Sequence, residues 1–188
     1  MIARLTAILF ITTLLFLGCG EKDTPPPKQE TTSQKVEKEK TAEHIINLTT
    51  TNMQDMKLTA LENGIKFEDY PNKVVLLVFF ATWCPPCIDE IPHLNAIQNA
   101  YKNQVQIIAV LLEENKTNSE INSFIQMHNI VYPVTNSRQN YILAEALGGI
   151  RSLPTTVMYD VKGDYHTHFV GKVPQEMIEG EIKKALLK

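Results

Sequence analysis

The run Val74-Val75-Leu76-Leu77-Val78-Phe79-Phe80, followed after Ala81 and Thr82 by Trp83-Cys84-Pro85-Pro86-Cys87, constrains this chain more than any other stretch. An unbroken apolar run rich in β-branched and aromatic residues predicts a strand buried on both faces. Beyond the cysteines, Ile88, Ile91, Leu94, Ile97 and Tyr101 recur at helical spacing. Strand, short loop and helix are expected in that order, with both cysteines at the helix N-terminus.

That location favours an anion, and the thiolate is the nucleophilic form of cysteine. Cys84 is expected at the exposed mouth and Cys87 about one turn inside, spaced to form a disulfide without rearranging the backbone. The pair admits three readings. As a redox pair it cycles between dithiol and disulfide. As half of a zinc site it needs two further ligands, and His44, His93, His128, His166 and His168 are scattered, the last two sharing one face of a strand. As a structural staple it closes a loop too short to gain much from closure entropy.

With 188 residues there is room for one ordinary domain plus appendages, and a formal net charge of -3 without a basic stripe argues against nucleic acid as a partner. Residues 1–18 carry one cation, Arg4, and then an apolar run that is short for a membrane span, the pattern of an export signal. Leu17-Gly18-Cys19 resembles the lipobox of bacterial lipoproteins, with Phe16 where a smaller aliphatic residue is usual; the resemblance makes Cys19 a lipidation site. The chain has three cysteines, so a lipidated Cys19 leaves Cys84 and Cys87 as the two thiols. Residues 19–42 are rich in Pro, Thr, Lys and Glu and read as a disordered tether. Residues 43–188 are expected to fold as one domain in an extracytoplasmic compartment, with the membrane reached through the N-terminal lipid.

Within that domain, Ile45, Ile46 and Leu48 suggest a first strand, and residues 56–61 and 65–67 flank Asn63-Gly64 as a hairpin. Pro92 is placed to kink the helix that carries the cysteines. Residues 105–112 read as a second buried strand. Asn118 or Ser119 is expected to cap a helix bearing Ile121, Phe124, Ile125 and His128, and residues 132–134 are expected to be extended. A helix over 138–147 stops at Gly148-Gly149, strands follow over 155–159 and 165–170 around Lys162-Gly163, and a last helix has Pro174 in its first turn. The alternation implies an α/β fold with a mixed central sheet and helices on both faces.

Phe79 through Cys87, then Glu90 and Pro92, and later Leu153-Pro154-Thr155-Thr156, resemble the thioredoxin superfamily and its membrane-tethered TlpA/ResA-like branch. The resemblance implies a thioredoxin-like fold with an N-terminal hairpin extension and an insertion before a cis-Pro strand. It implies a thiol-disulfide oxidoreductase in which Cys84 attacks, Cys87 resolves and the two form a redox disulfide. Trp83, Pro85, Pro86, Leu153 and Pro154 would line the substrate site, with the bond before Pro154 cis. Val78 stands where a typical thioredoxin has a buried Asp, and Glu90 would take that role as proton acceptor for Cys87, the alternative being an ordinary exposed first-turn Glu favoured by the helix dipole. The best-known targets of this branch are the haem-attachment cysteines of apocytochrome c. With no nicotinamide or flavin motif in the chain, no cofactor is expected, and electrons would come from a membrane dithiol carrier of the DsbD or CcdA kind. A DsbA-like disulfide-forming oxidant, a peroxidase and a tethered binding or chaperone module without turnover are the alternatives.

Overall fold

The computed structural model describes residues 44–188, which lie within one compact unit, Thr41–Lys188. The export signal, Cys19 and the tether lie outside the described residues.

The chain runs β1 (Ile45–Thr49), β2 (Asp55–Leu61), β3 (Gly64–Phe67), β4 (Val74–Phe80), α1 (Pro85–Ala100), β5 (Val105–Leu111), α2 (Asn118–Met127), β6 (Val134–Thr135), α3 (Gln139–Ala146), β7 (Thr155–Tyr159), β8 (Tyr165–Val170) and α4 (Gln175–Ala185). The central sheet has the order β6-β5-β4-β7-β8, with β4 parallel to β5 and antiparallel to β7. The first three strands form a separate antiparallel sheet. This is a thioredoxin-like fold.

The apolar run behaves as its composition demands: every residue of β4 is buried, and the period of two splits it between cores. Val74, Leu76, Val78 and Phe80 pack with Ile91, Leu94 and Ile97 of α1 and with residues of α2 and α4. Val75, Leu77 and Phe79 pack with Leu143 of α3 and with Leu48, Leu58 and Phe67 of the small sheet. Full burial of each such side chain stabilises the fold by roughly 1.5–3 kcal/mol. The strand that presents the cysteines is thus held from both sides.

Local signals account for most element ends, with three corrections. The cap of α2 is Thr117 rather than Asn118 or Ser119: its side chain accepts from the Glu120 backbone N–H while Glu120 reaches back to the Thr117 N–H. The short strand is β6 at Val134–Thr135, beginning two residues and ending one residue later than the pattern placed it, while Tyr132 sits in the core at 6% exposure. Pro174 is the N-cap of α4 rather than a member of its first turn. Pro92 lies inside α1 as expected.

Two glycines permit the small sheet to meet the β7–β8 turn. The Ile65 N–H donates to the Gly163 carbonyl at 2.8 Å, and a Cβ on Gly64 or on Gly163 would collide with the backbone of the other strand. Gly163 also has φ +87°, in the left-handed region that favours glycine.

Candidate active site

β4 delivers the cysteines to the C-terminal edge of the central sheet, where α1 begins. Cys84 is the N-cap of α1, and Pro85 and Pro86 occupy the first helical positions, where a missing N–H costs nothing. The Cys87 and Ile88 N–H groups both donate to the Cys84 carbonyl at 3.1 Å. Cys84 and Cys87 form a disulfide with Cα atoms 5.3 Å apart. The two sulfurs are therefore one reactive unit, held at the positive end of a helix dipole.

Exposure differs from expectation at Cys84. Cys84 is 3% exposed and Cys87 4%, so both are covered in the disulfide form, whereas Trp83 is 67% exposed. The outer cysteine is turned inward toward its partner, and the indole stands at the rim of the groove that the motif lines.

Trp83, Cys84, Pro85, Pro86 and Leu153 line one groove of about 650 Å³, walled on its far side by Tyr141 of α3. The Leu153–Pro154 bond is cis. Pro154 does not line this groove; it lies behind the disulfide, bordering with Cys87, Val78 and Tyr132 a void of about 10 Å³. That volume is at the lower limit for a single water.

Glu90 follows Cys87 by three residues on the buried side of α1 and is 1% exposed. Its Oε1 accepts from the Val173 N–H at 3.4 Å, and Oε2 has no hydrogen-bond partner among the described residues. Burial pushes its carboxyl from 4.5 up to about 7, opposed by the Val173 N–H and by the charge of Lys172. Tyr132 is pushed up as well, by burial and by the nearby Glu90 charge. A carboxyl in that range can take or give a proton near neutrality.

One functional contact escaped the sequence reading. The Thr82 N–H and hydroxyl both donate to Glu113 Oε2, at 2.9 and 2.7 Å, and Glu113 also faces Lys116 at 3.6 Å. Glu113 thereby pins the loop that carries Trp83 and Cys84. The signal lay in register: Phe80 pairs with Leu111 in the parallel β4–β5 ladder, so residues two beyond each strand are neighbours. Among the described residues, no group of three His, Cys, Asp or Glu is placed to hold a metal ion. His166 instead pairs with Glu181 at 2.9 Å, and His168 with the Tyr165 hydroxyl at 2.7 Å.

The Redoxin family matches residues 48–186. The chain belongs to that family. This redoxin is 31% identical over 121 residues to the thiol-disulfide oxidoreductase ResA of Bacillus thuringiensis (strain Al Hakam), across 64% of this chain and 68% of the relative. It is 33% identical over 131 residues to ResA of Geobacillus kaustophilus (strain HTA426), across 69% of this chain and 73% of the relative. A thiol:disulfide interchange protein of the thioredoxin family from Chlorobium tepidum TLS shares its fold, with a TM-score of 0.60 at 24% identity, over 76% of this chain and 93% of that one. The redoxin is a thiol-disulfide oxidoreductase of the ResA type, and Cys84 and Cys87 form a disulfide at the start of α1.

Proposed function

We propose that this protein is an extracytoplasmic reductase of protein disulfides, anchored through a lipid on Cys19, with the haem-attachment cysteines of apocytochrome c as its substrate. In the dithiol form, the Cys84 thiolate attacks a substrate disulfide, and one substrate sulfur leaves as thiolate. Cys87 then passes its proton to Glu90 and attacks Cys84 Sγ, releasing the second substrate sulfur with the electron pair. The substrate disulfide is reduced to two thiols and the enzyme leaves as the Cys84–Cys87 disulfide.

The observation that carries this reading is the buried Glu90 carboxyl, pushed up to about 7 one helical turn beyond Cys87. It provides a base for the resolving thiol where Val78 offers none. The groove formed by Trp83, Cys84, Pro85, Pro86 and Leu153 is open to a polypeptide, and Pro154 backs the disulfide. Regeneration needs two electrons, and a membrane dithiol carrier of the DsbD or CcdA kind is the donor class that fits a thiol-only site. The anchor in this reading is Cys19, on the resemblance of Leu17-Gly18-Cys19 to a lipobox.

Acid trapping of cells followed by thiol alkylation tests the direction. Cys84 and Cys87 recovered mostly as dithiol support the reductase. Recovery mostly as disulfide overturns it in favour of a disulfide-forming oxidant.

A further inference from the structure

One short turn touches both parts of the site. β8 ends at Val170 and α4 begins at Gln175. Between them the Gly171 N–H donates to the Pro154 carbonyl at 2.7 Å, and the Val173 N–H donates to Glu90 Oε1 at 3.4 Å. Gly171 has φ +78°, a conformation that disfavours any residue with a side chain. Lys172, between the two donors, lies 3.9 Å from Asp89 Oδ2. The carboxyl beside Cys87 and the backbone behind the disulfide are thus joined through three residues.

We propose that the Gly171–Val173 turn is a positioning element that couples the protonation of Glu90 to the Pro154 segment, so that substrate is held more tightly while Glu90 is ionised. This rests on the reading above, in which Leu153, the residue before Pro154, lines the substrate groove and Glu90 takes the Cys87 proton. A hydrogen bond to an ionised carboxylate is roughly twice as strong as one to a neutral acceptor. Since Oε2 has no partner among the described residues, the Val173 N–H is the donor that feels the change. When the proton arrives that bond weakens, the turn loosens, and the Gly171 bond to Pro154 loses its support.

The timing follows from the chemistry. The proton reaches Glu90 as the Cys87 sulfur attacks Cys84 and the substrate sulfur departs, so the substrate wall relaxes in the step that releases the reduced product. Coupling of this kind is reciprocal: substrate bound against Leu153, next to Pro154, lowers the proton affinity of Glu90. The groups around Glu90 are few. Lys172 and Asp89 stand at the rim, Cys87 and Tyr132 lie inside, and His93 follows one turn along α1. Tyr132 stays neutral, its phenol being pushed upward.

The test is turnover of a disulfide-containing peptide by the full chain on both sides of neutrality. KM should fall as Glu90 ionises, by roughly fivefold or more, the lower end of measured couplings. In Val173→Pro, which removes the N–H, KM should stay high and flat while kcat keeps its pH dependence. A flat KM in the parent beside a titrating kcat overturns the coupling and leaves the role of Glu90 standing. A Glu90→Gln kcat profile that overlays the parent's overturns the role of Glu90, and the coupling with it. Should Val173→Pro not fold, the parent's amide spectra decide. Gly171 and Val173 shifts that move together with the Glu90 carboxyl carbon support the link; Val173 moving while Gly171 stays fixed overturns it.

Discussion

Glu90→Gln should make the protein more stable than its parent above neutrality, because it removes a charge that folding holds in a dry place. Glu90 is 1% exposed, and burial outweighs both the Val173 N–H and the Lys172 charge in raising its carboxyl from 4.5 to about 7. The folded state therefore holds this proton more tightly than the unfolded chain does. Between 4.5 and about 7 the folded protein binds more protons than the unfolded one, so stability falls as pH rises through that window. The contribution is whole below the unfolded value and gone above the folded one. At about 1.4 kcal/mol for each pH unit, the displacement amounts to about 3 kcal/mol, a large share of the roughly 5–15 kcal/mol typical of a domain. Urea unfolding of both oxidised proteins, compared at each pH, cancels the groups they share. The difference should be near zero at the acid end and approach about 3 kcal/mol in favour of the amide above neutrality. A difference that stays flat across the series would refute the argument, since Glu90 would then titrate like an exposed carboxylate. Slower exchange in the more stable variant would mark a residue kept for chemistry at the expense of stability.

Three further perturbations separate the roles of other residues. Cys87→Ser should trap substrates as mixed disulfides on Cys84, seen as reducible adducts on a gel and identified by mass spectrometry, whereas Cys84→Ser should trap none; abundant adducts through Cys87 would reverse the assignment of the sulfurs. Glu113→Ala removes the acceptor for both Thr82 donors and should cost about 1–3 kcal/mol in urea unfolding, together with slower insulin reduction; Glu113→Gln should restore most of both, and an unchanged Glu113→Ala rate would show that the loop needs no anchor. Cys19→Ala should leave the chain unprocessed or free of membranes, and an unmodified Cys19 in the mature protein by mass analysis would end the lipid reading.

The strands that flank the site were legible because burial on two faces leaves a compositional mark, and β4 and β5 carry it in full. The glycine stop after α3 was legible for a backbone reason, Gly148 and Gly149 having φ of +87° and +86°. Thr117-Asn118-Ser119-Glu120 is a capping-box pattern that was open to the same reading and points to Thr117 as the cap. The two-residue β6 leaves no period to read. Exposure at the motif was beyond local reasoning, because Cys84 packs into a core built from distant parts of the chain, and the groove it shares with Trp83 is completed by the segment from Gly149 to Leu153 and by α3. Contacts such as Thr82 to Glu113, or Glu90 to Val173, join residues far apart in the chain. No pattern within either segment announces them.

The small N-terminal sheet also decides how this molecule meets others through its backbone. Strand β6 would leave a row of unpaired donors and acceptors at one rim of the central sheet. Instead the Thr51 N–H bonds the Val134 carbonyl and the Asn136 N–H bonds the Thr49 carbonyl, each at 3.0 Å. At the other rim the Tyr165 N–H bonds the Asn63 carbonyl at 2.8 Å, which occupies the first residue of β8 and leaves the outer edge of the rest of that strand without a backbone partner among the described residues. Strand-by-strand growth, the route by which open sheets recruit neighbours and aggregate, is thereby closed at β6 and confined at β8 to a stretch bearing His166 and His168. If the chain is lipid-anchored as proposed, copies crowded at a membrane would have only the β8 rim through which to pair edge to edge.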